Sequence, residues 1–88
     1  MQFYQSVIVN QSVALECDAT GLPRPVVTWY KDDVRLSNER AGRLRLVDGG
    51  ARLNIESADL IDTGSYECRA ENDAGRDRLH YHLTVLSM

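Results

Sequence analysis

Two cysteines and a single tryptophan constrain this chain more than anything else in it. Cys17 closes the run Val13-Ala-Leu15-Glu-Cys17, apolar at odd positions with Glu16 and Asp18 between and after them, the period-two pattern of a strand with one buried face. Cys68 lies in Tyr66-Glu-Cys68-Arg-Ala70-Glu71, where Tyr66, Cys68 and Ala70 share the inner side and Glu67, Arg69 and Glu71 the outer. Both sulfurs therefore face one core, together with Leu15. Val27-Thr-Trp29, between them in sequence, sets an indole on an inner face. Cysteines so placed either join as a disulfide, with the indole packed against it, or stay reduced as two small buried hydrophobes.

The chain has 88 residues, one small domain spanning residues 1–88. A domain of this size buries only about 60% of its unfolded surface, so a cross-link is a natural supplement to its core. Closing a loop of roughly 50 residues restricts the unfolded chain by about 4 kcal/mol. A disulfide persists only in an oxidising compartment, which points to the cell surface or outside it; the reduced pair belongs to the cytoplasm. The net charge of −3, from 10 basic and 13 acidic residues, excludes a nucleic-acid partner, whose binding rests on neutralising many phosphates. No window approaches the roughly 20 apolar residues of a membrane-spanning helix, so no membrane insertion by this domain is expected. The N-terminus lacks the basic and apolar regions of a signal peptide, so Met1 reads as the start of an excised domain.

Residues 1–4 read as a ragged lead, and Gln5–Val9 as an edge strand. Asn10-Gln11-Ser12 is a turn and also an acceptor for an N-linked glycan at Asn10. Gly21-Leu-Pro23-Arg-Pro25 denies the backbone two donors, so the next strand starts at Val26 and runs to Lys31. Asp32-Asp33 makes a turn into Val34–Leu36, and residues 37–42 form a polar connection. Leu44 and Leu46 belong to a strand that Asp48-Gly49-Gly50 turns into Ala51–Ile55, giving a hairpin. Ser57–Asp62 does not alternate, and Leu60 is expected to plug the bottom of the core from a single helical turn. Gly64 lets the chain start its next strand where a side chain would collide. Asn72-Asp-Ala-Gly75 turns that strand into Arg76–Leu86, where Leu79, Tyr81, Leu83 and Val85 point one way and Arg78, His80, His82 and Thr84 the other. About eight short strands with no amphipathic helix make an all-β sandwich.

The parts of an enzyme are missing: no serine in a nucleophile elbow, no glycine-rich phosphate loop and no C-x-x-C, so neither catalysis nor a cofactor is expected. His80 and His82 share a strand face as two metal ligands do, with Glu67 or Glu71 nearby, but a third strong ligand is wanting and no metal is expected. The alternatives are a solvated face or a binding face that responds to pH. Arg35, Arg40, Arg43, Arg45 and Arg52 form either a patch for a polyanion such as heparan sulfate or a solubilising face. On the outer side, Val26, Thr28 and Tyr30 form an apolar strip beside Glu67, Arg69, His80 and His82, the place to expect a protein partner.

The arrangement Cys17, Trp29, Asp62-Thr-Gly64-Ser-Tyr66-Glu-Cys68 resembles the immunoglobulin superfamily. Gly21-x-Pro23-x-Pro25-x-Val27-x-Trp29-Tyr-Lys31-Asp32 and Ala70-x-Asn72-x-Ala74-Gly75 resemble its intermediate, or I-set, branch. The resemblance implies a Greek-key β-sandwich of two antiparallel sheets pinned by a Cys17–Cys68 disulfide, with Tyr66 as the corner tyrosine and Asp62 steadying the same turn through Arg43 or Arg45. Such domains occur in hemicentin-like matrix proteins, adhesion receptors and cytoplasmic muscle proteins of the titin type. The resemblance thus implies a link in a tandem array that binds other proteins, homophilically or through neighbouring immunoglobulin domains. In this chain Asp33 replaces a common glycine of the turn after Trp29, and Tyr81 a common small residue. The first allows another turn type; the second means a filled gap or a shifted register.

Overall fold

The computed structural model describes residues 2–36, 40–41 and 43–87. Among the described residues, nine strands form two layers: β1 (Gln2–Ile8), β2 (Val13–Glu16), β3 (Val26–Lys31), β4 (Val34–Leu36), β5 (Arg40–Ala41), β6 (Leu44–Val47), β7 (Arg52–Ile55), β8 (Gly64–Asn72) and β9 (Gly75–Leu86). One sheet has the order β1-β9-β8-β3-β4, the other β2-β7-β6-β5. Residues 37–39 and 42, in the expected polar connection, lie outside the described residues; Arg40–Ala41 in the same stretch pairs with β6.

Alternation does in three dimensions what it does in sequence. Leu15, Leu53 and Ile55 from one sheet meet Trp29, Tyr66, Leu83 and Val85 from the other, and Ala58 closes one end. The Cys17 and Cys68 sulfurs are bonded, with 6.3 Å between the Cα atoms, and Trp29 is 0% exposed. Three further contacts tie the layers. The Trp29 Nε1–H donates to the Gly50 carbonyl at 2.7 Å, Arg43 Nη2 donates to Asp62 Oδ1 at 3.0 Å, and the Tyr81 hydroxyl donates to the Glu16 carbonyl. The first of these is buried and satisfies an indole N–H that the apolar core would otherwise strand. Asp62 therefore pairs with Arg43, while Arg45 lies beside Glu56.

Strand pairing is antiparallel throughout, except that β1 runs parallel to β9 in unbroken register from Gln2 opposite His80 to Ile8 opposite Leu86. The strand starts at Gln2 rather than Gln5, so residues 2–4 are no ragged lead. Cross-strand rings hold them: Phe3 stacks on Tyr81 and Tyr4 on His82, with centroids 5.2 and 4.7 Å apart. Tyr81 fills a gap without shifting register, since it lies opposite Tyr66 and stacks toward Trp29.

Leu60 does not plug the core; it is 51% exposed, and Ala58 takes the place expected of it. The cause is the 3-10 turn Leu60–Asp62, capped reciprocally by the side chains of Asp59 and Asp62. Asp62 must point inward to reach Arg43, and a three-residue turn that does so turns Leu60 and Ile61 to solvent. At Asp32-Asp33 both residues have positive φ, 48° and 68°, the pattern of a type I′ hairpin turn that Asp tolerates. Asp32 Oδ1 accepts the Ser65 N–H at 2.9 Å, and a Cβ on Gly64 would come within 2.8 Å of Asp32 Oδ2. That contact is the collision glycine avoids at position 64.

The Tyr66 hydroxyl donates to the Asp62 carbonyl at 2.6 Å across the turn. Burial first, then the charges of Asp62 and Asp32, push its phenol above the ordinary range, so it keeps its proton and stays a donor. Tyr66→Phe is expected to cost about 1 kcal/mol, because the ring still fills its place while a buried carbonyl loses its donor. A urea titration reads this directly; an unchanged midpoint would show that the hydroxyl does no work in the corner.

Candidate interaction face

The outer side of the five-stranded sheet is assembled from rows set by strand register. Val26, Glu71 and Arg76 form one row; Thr28, Arg69 and Arg78 the next; then Tyr30, Glu67, His80 and Gln2, with Arg35 opposite Tyr30. A last row places Ser65, His82 and Tyr4 side by side. All seven expected residues of the interaction face, Val26, Thr28, Tyr30, Glu67, Arg69, His80 and His82, thus lie on one surface. Sequence reasoning left out Tyr4 and Gln2, dismissed with the first four residues, and Arg78, although its outward parity was plain.

The centre of the surface is Glu67, an outward residue that is nevertheless only 9% exposed. Its Oε1 accepts from Arg69 Nε, the His80 Nε2 lies 2.5 Å from Oε2, and Arg78 Nη1 stands 4.0 Å off. Burial raises the Glu67 carboxyl, but the hydrogen bond and charge of Arg69, with His80 and Arg78, outweigh it and hold the group below the usual carboxylate range. The Arg69 guanidinium in turn lies over the Tyr30 ring, 4.0 Å from its centroid. Carboxylate, guanidinium and phenol ring brace one another, so side chains that would flex alone are held in place.

A carboxyl depressed in the folded state stabilises the fold above its ordinary titration range, and that gain is lost as pH falls through the folded value. Glu67→Gln is therefore expected to be less stable than the parent near neutral pH, with the difference shrinking toward about pH 3. Urea midpoints at the two pH values check this. A constant gap would mean that Glu67 acts through packing alone.

His80 and His82 look outward side by side but serve different neighbours: His80 lies against Glu67, whereas His82 Nε2 meets Gln2 Oε1 at 3.1 Å beneath the Tyr4 ring. Among the described residues no group of three or more histidine, cysteine, aspartate and glutamate side chains is gathered to hold a metal ion. The five arginines do not share one sheet. Arg43, Arg45 and Arg52 are matched with Asp62, Glu56 and Glu16, Arg35 belongs to the other sheet, and the side chain of Arg40 lies outside the described residues. Asn10, the acceptor expected from the sequence, stands exposed with φ of 76° on the turn between β1 and β2.

Residues 3–85 match the family model described as immunoglobulin I-set domain. Among curated proteins the chain is 44% identical over 81 residues to mouse (Mus musculus) hemicentin-1, covering 92% of this chain and 1% of that protein. It is 36% identical to bovine (Bos taurus) neural cell adhesion molecule 1, covering 99% and 11%, and 39% identical to a Caenorhabditis elegans titin homolog, covering 94% and, to the nearest per cent, 0%. The chain therefore spans at most about a tenth of these relatives. Among solved structures, the Sidekick-1 immunoglobulin domains 1–4 superpose with a TM-score of 0.87 at 30% identity, over 94% of this chain and 22% of that one. The titin M10–obscurin-like 1 immunoglobulin complex superposes with 0.83 at 32% identity, over 100% and 92%.

Proposed function

Since the chain belongs to the immunoglobulin I-set family, we propose that it is a non-catalytic protein-interaction module of a larger extracellular or cell-surface protein, acting in adhesion, matrix assembly or receptor recognition. The observation that carries this reading is the outer face of the five-stranded sheet. There Val26, 71% exposed, and Tyr30 adjoin a braced set of charges around Glu67, the mixture of apolar anchor and oriented polar groups that protein interfaces use. The likeness to hemicentin-1 and the neural adhesion molecule supports the extracellular setting, as does the disulfide. The likeness to the titin homolog and the titin M10 complex supports a second reading, a structural domain of a cytoskeletal muscle protein whose cysteines are reduced in the cell.

Competition tests the face. Cells or beads presenting the parent protein adhere to their partner, and the soluble domain is added as inhibitor. A Val26→Asp, Tyr30→Ala variant is expected to inhibit at least about tenfold more weakly than the parent domain, because central aromatic and apolar anchors dominate such contacts. Arg52→Ala, on the opposite sheet, is expected to inhibit as well as the parent. The reverse order would move recognition to the other sheet.

A further inference from the structure

One row of the outer face is electrostatically unfinished. Arg69 and Arg78 stand directly opposite each other on β8 and β9, with Thr28 completing the row on β3, and like charges so placed destabilise a sheet. The neighbouring rows hold one carboxylate each: Glu67, whose oxygens lie against Arg69 and His80 and which Arg78 reaches only at 4.0 Å, and Glu71, which faces Arg76 at 3.4 Å. On a chain of net charge −3 this row holds two cations and no anion. Arg78 and Arg69 are 62% and 45% exposed, so both still face solvent. They line a shallow groove of about 830 Å³ together with Val26, Thr28, Tyr30 and His80, and with the acidic Glu71 and Asp77.

We propose that this row receives a carboxylate side chain of a partner protein, seated between Arg69 and Arg78 with a neighbouring apolar side chain of that partner on Val26. The inference rests on the reading of this face as the interaction surface and names the chemistry it selects. An anion in the row relieves the arginine–arginine repulsion, and the guanidinium fixed on Tyr30 and Glu67 needs little further ordering to accept it. Glu67 and Glu71 on the same face repel a dense polyanion, so the complement is one carboxylate on an otherwise apolar segment rather than a sulfated sugar chain or nucleic acid.

Capped Val-Glu-Val and Val-Gln-Val peptides, titrated into the ¹⁵N-labelled domain, supply the test. The glutamate peptide is expected to shift the Nε–H signals of Arg69 and Arg78 and to bind about fivefold or more tightly than the glutamine peptide, a ratio consistent with one charge-assisted hydrogen-bond pair. Arg78→Gln is expected to abolish that preference with the melting temperature little changed, since the repulsion from Arg69 that it removes offsets the loss of its long contact with Glu67 at 4.0 Å. Equal binding of the two peptides, shifts confined to other residues, no shift with either, or a heparin oligosaccharide that outcompetes the glutamate peptide in the groove would each overturn the proposal. If the Val26, Tyr30 variant still fails as an inhibitor while the peptides show no glutamate preference, the face stands and the carboxylate does not.

Discussion

Replacing Cys17 and Cys68 together by alanine is expected to lower the stability of the domain by about 4 kcal/mol and its melting temperature by on the order of 15–30 °C. The disulfide closes 51 residues of separation, so its removal frees a large part of the unfolded chain, and that loss is independent of how well alanine packs in the core. A domain this small holds roughly 5–10 kcal/mol in total, which leaves the variant folded but marginal. The remaining ties between the layers, Trp29 to Gly50, Arg43 to Asp62 and Tyr81 to Glu16, then hold the register. Near-ultraviolet circular dichroism is expected to show native packing at low temperature, with an early melt. A melt within a few degrees of the parent would mean that the cross-link constrains little.

The second large effect is expected at Trp29. Trp29→Ala empties the largest fully buried site and should cost about 3–5 kcal/mol, with a further 1–3 kcal/mol because the Gly50 carbonyl loses its donor. The sum approaches the whole stability of a small domain, so poor amide dispersion in a proton NMR spectrum at room temperature is the expected result. Trp29→Phe separates the two causes. It keeps an aromatic ring in place and removes the Nε1–H, and a folded, weakened domain is expected. A robustly folded Trp29→Ala variant would show that the two sheets do not depend on their central indole.

Much of this was legible in the chain because its strands obey a period of two. The parity of Tyr66, Cys68 and Ala70 against Glu67, Arg69 and Glu71 assigned the core and the outer face together, and the outward set on Arg76–Leu86 put His80 and His82 beside them. Non-local geometry was not legible. Leu60 reads as a core plug in a stretch that does not alternate, whereas the turn is oriented by Asp62 reaching Arg43, 19 residues away in sequence. The start of β1 was hidden because Phe3 and Tyr4 have partners, Tyr81 and His82, nearly the whole chain away. The brace of Glu67, Arg69 and Tyr30 also escaped notice, since alternation marks which residues point outward and is silent about which of them touch.

The most direct test of an extracellular recognition module is the redox state of its cysteines in the cell that makes it. Native protein is treated with an alkylating agent at the moment of lysis, digested, and the peptides carrying Cys17 and Cys68 are weighed before and after reduction. A single linked species that takes up no label until reduced is the expected result. Two separate peptides, both labelled without reduction, would contradict the account and place the domain inside the cell.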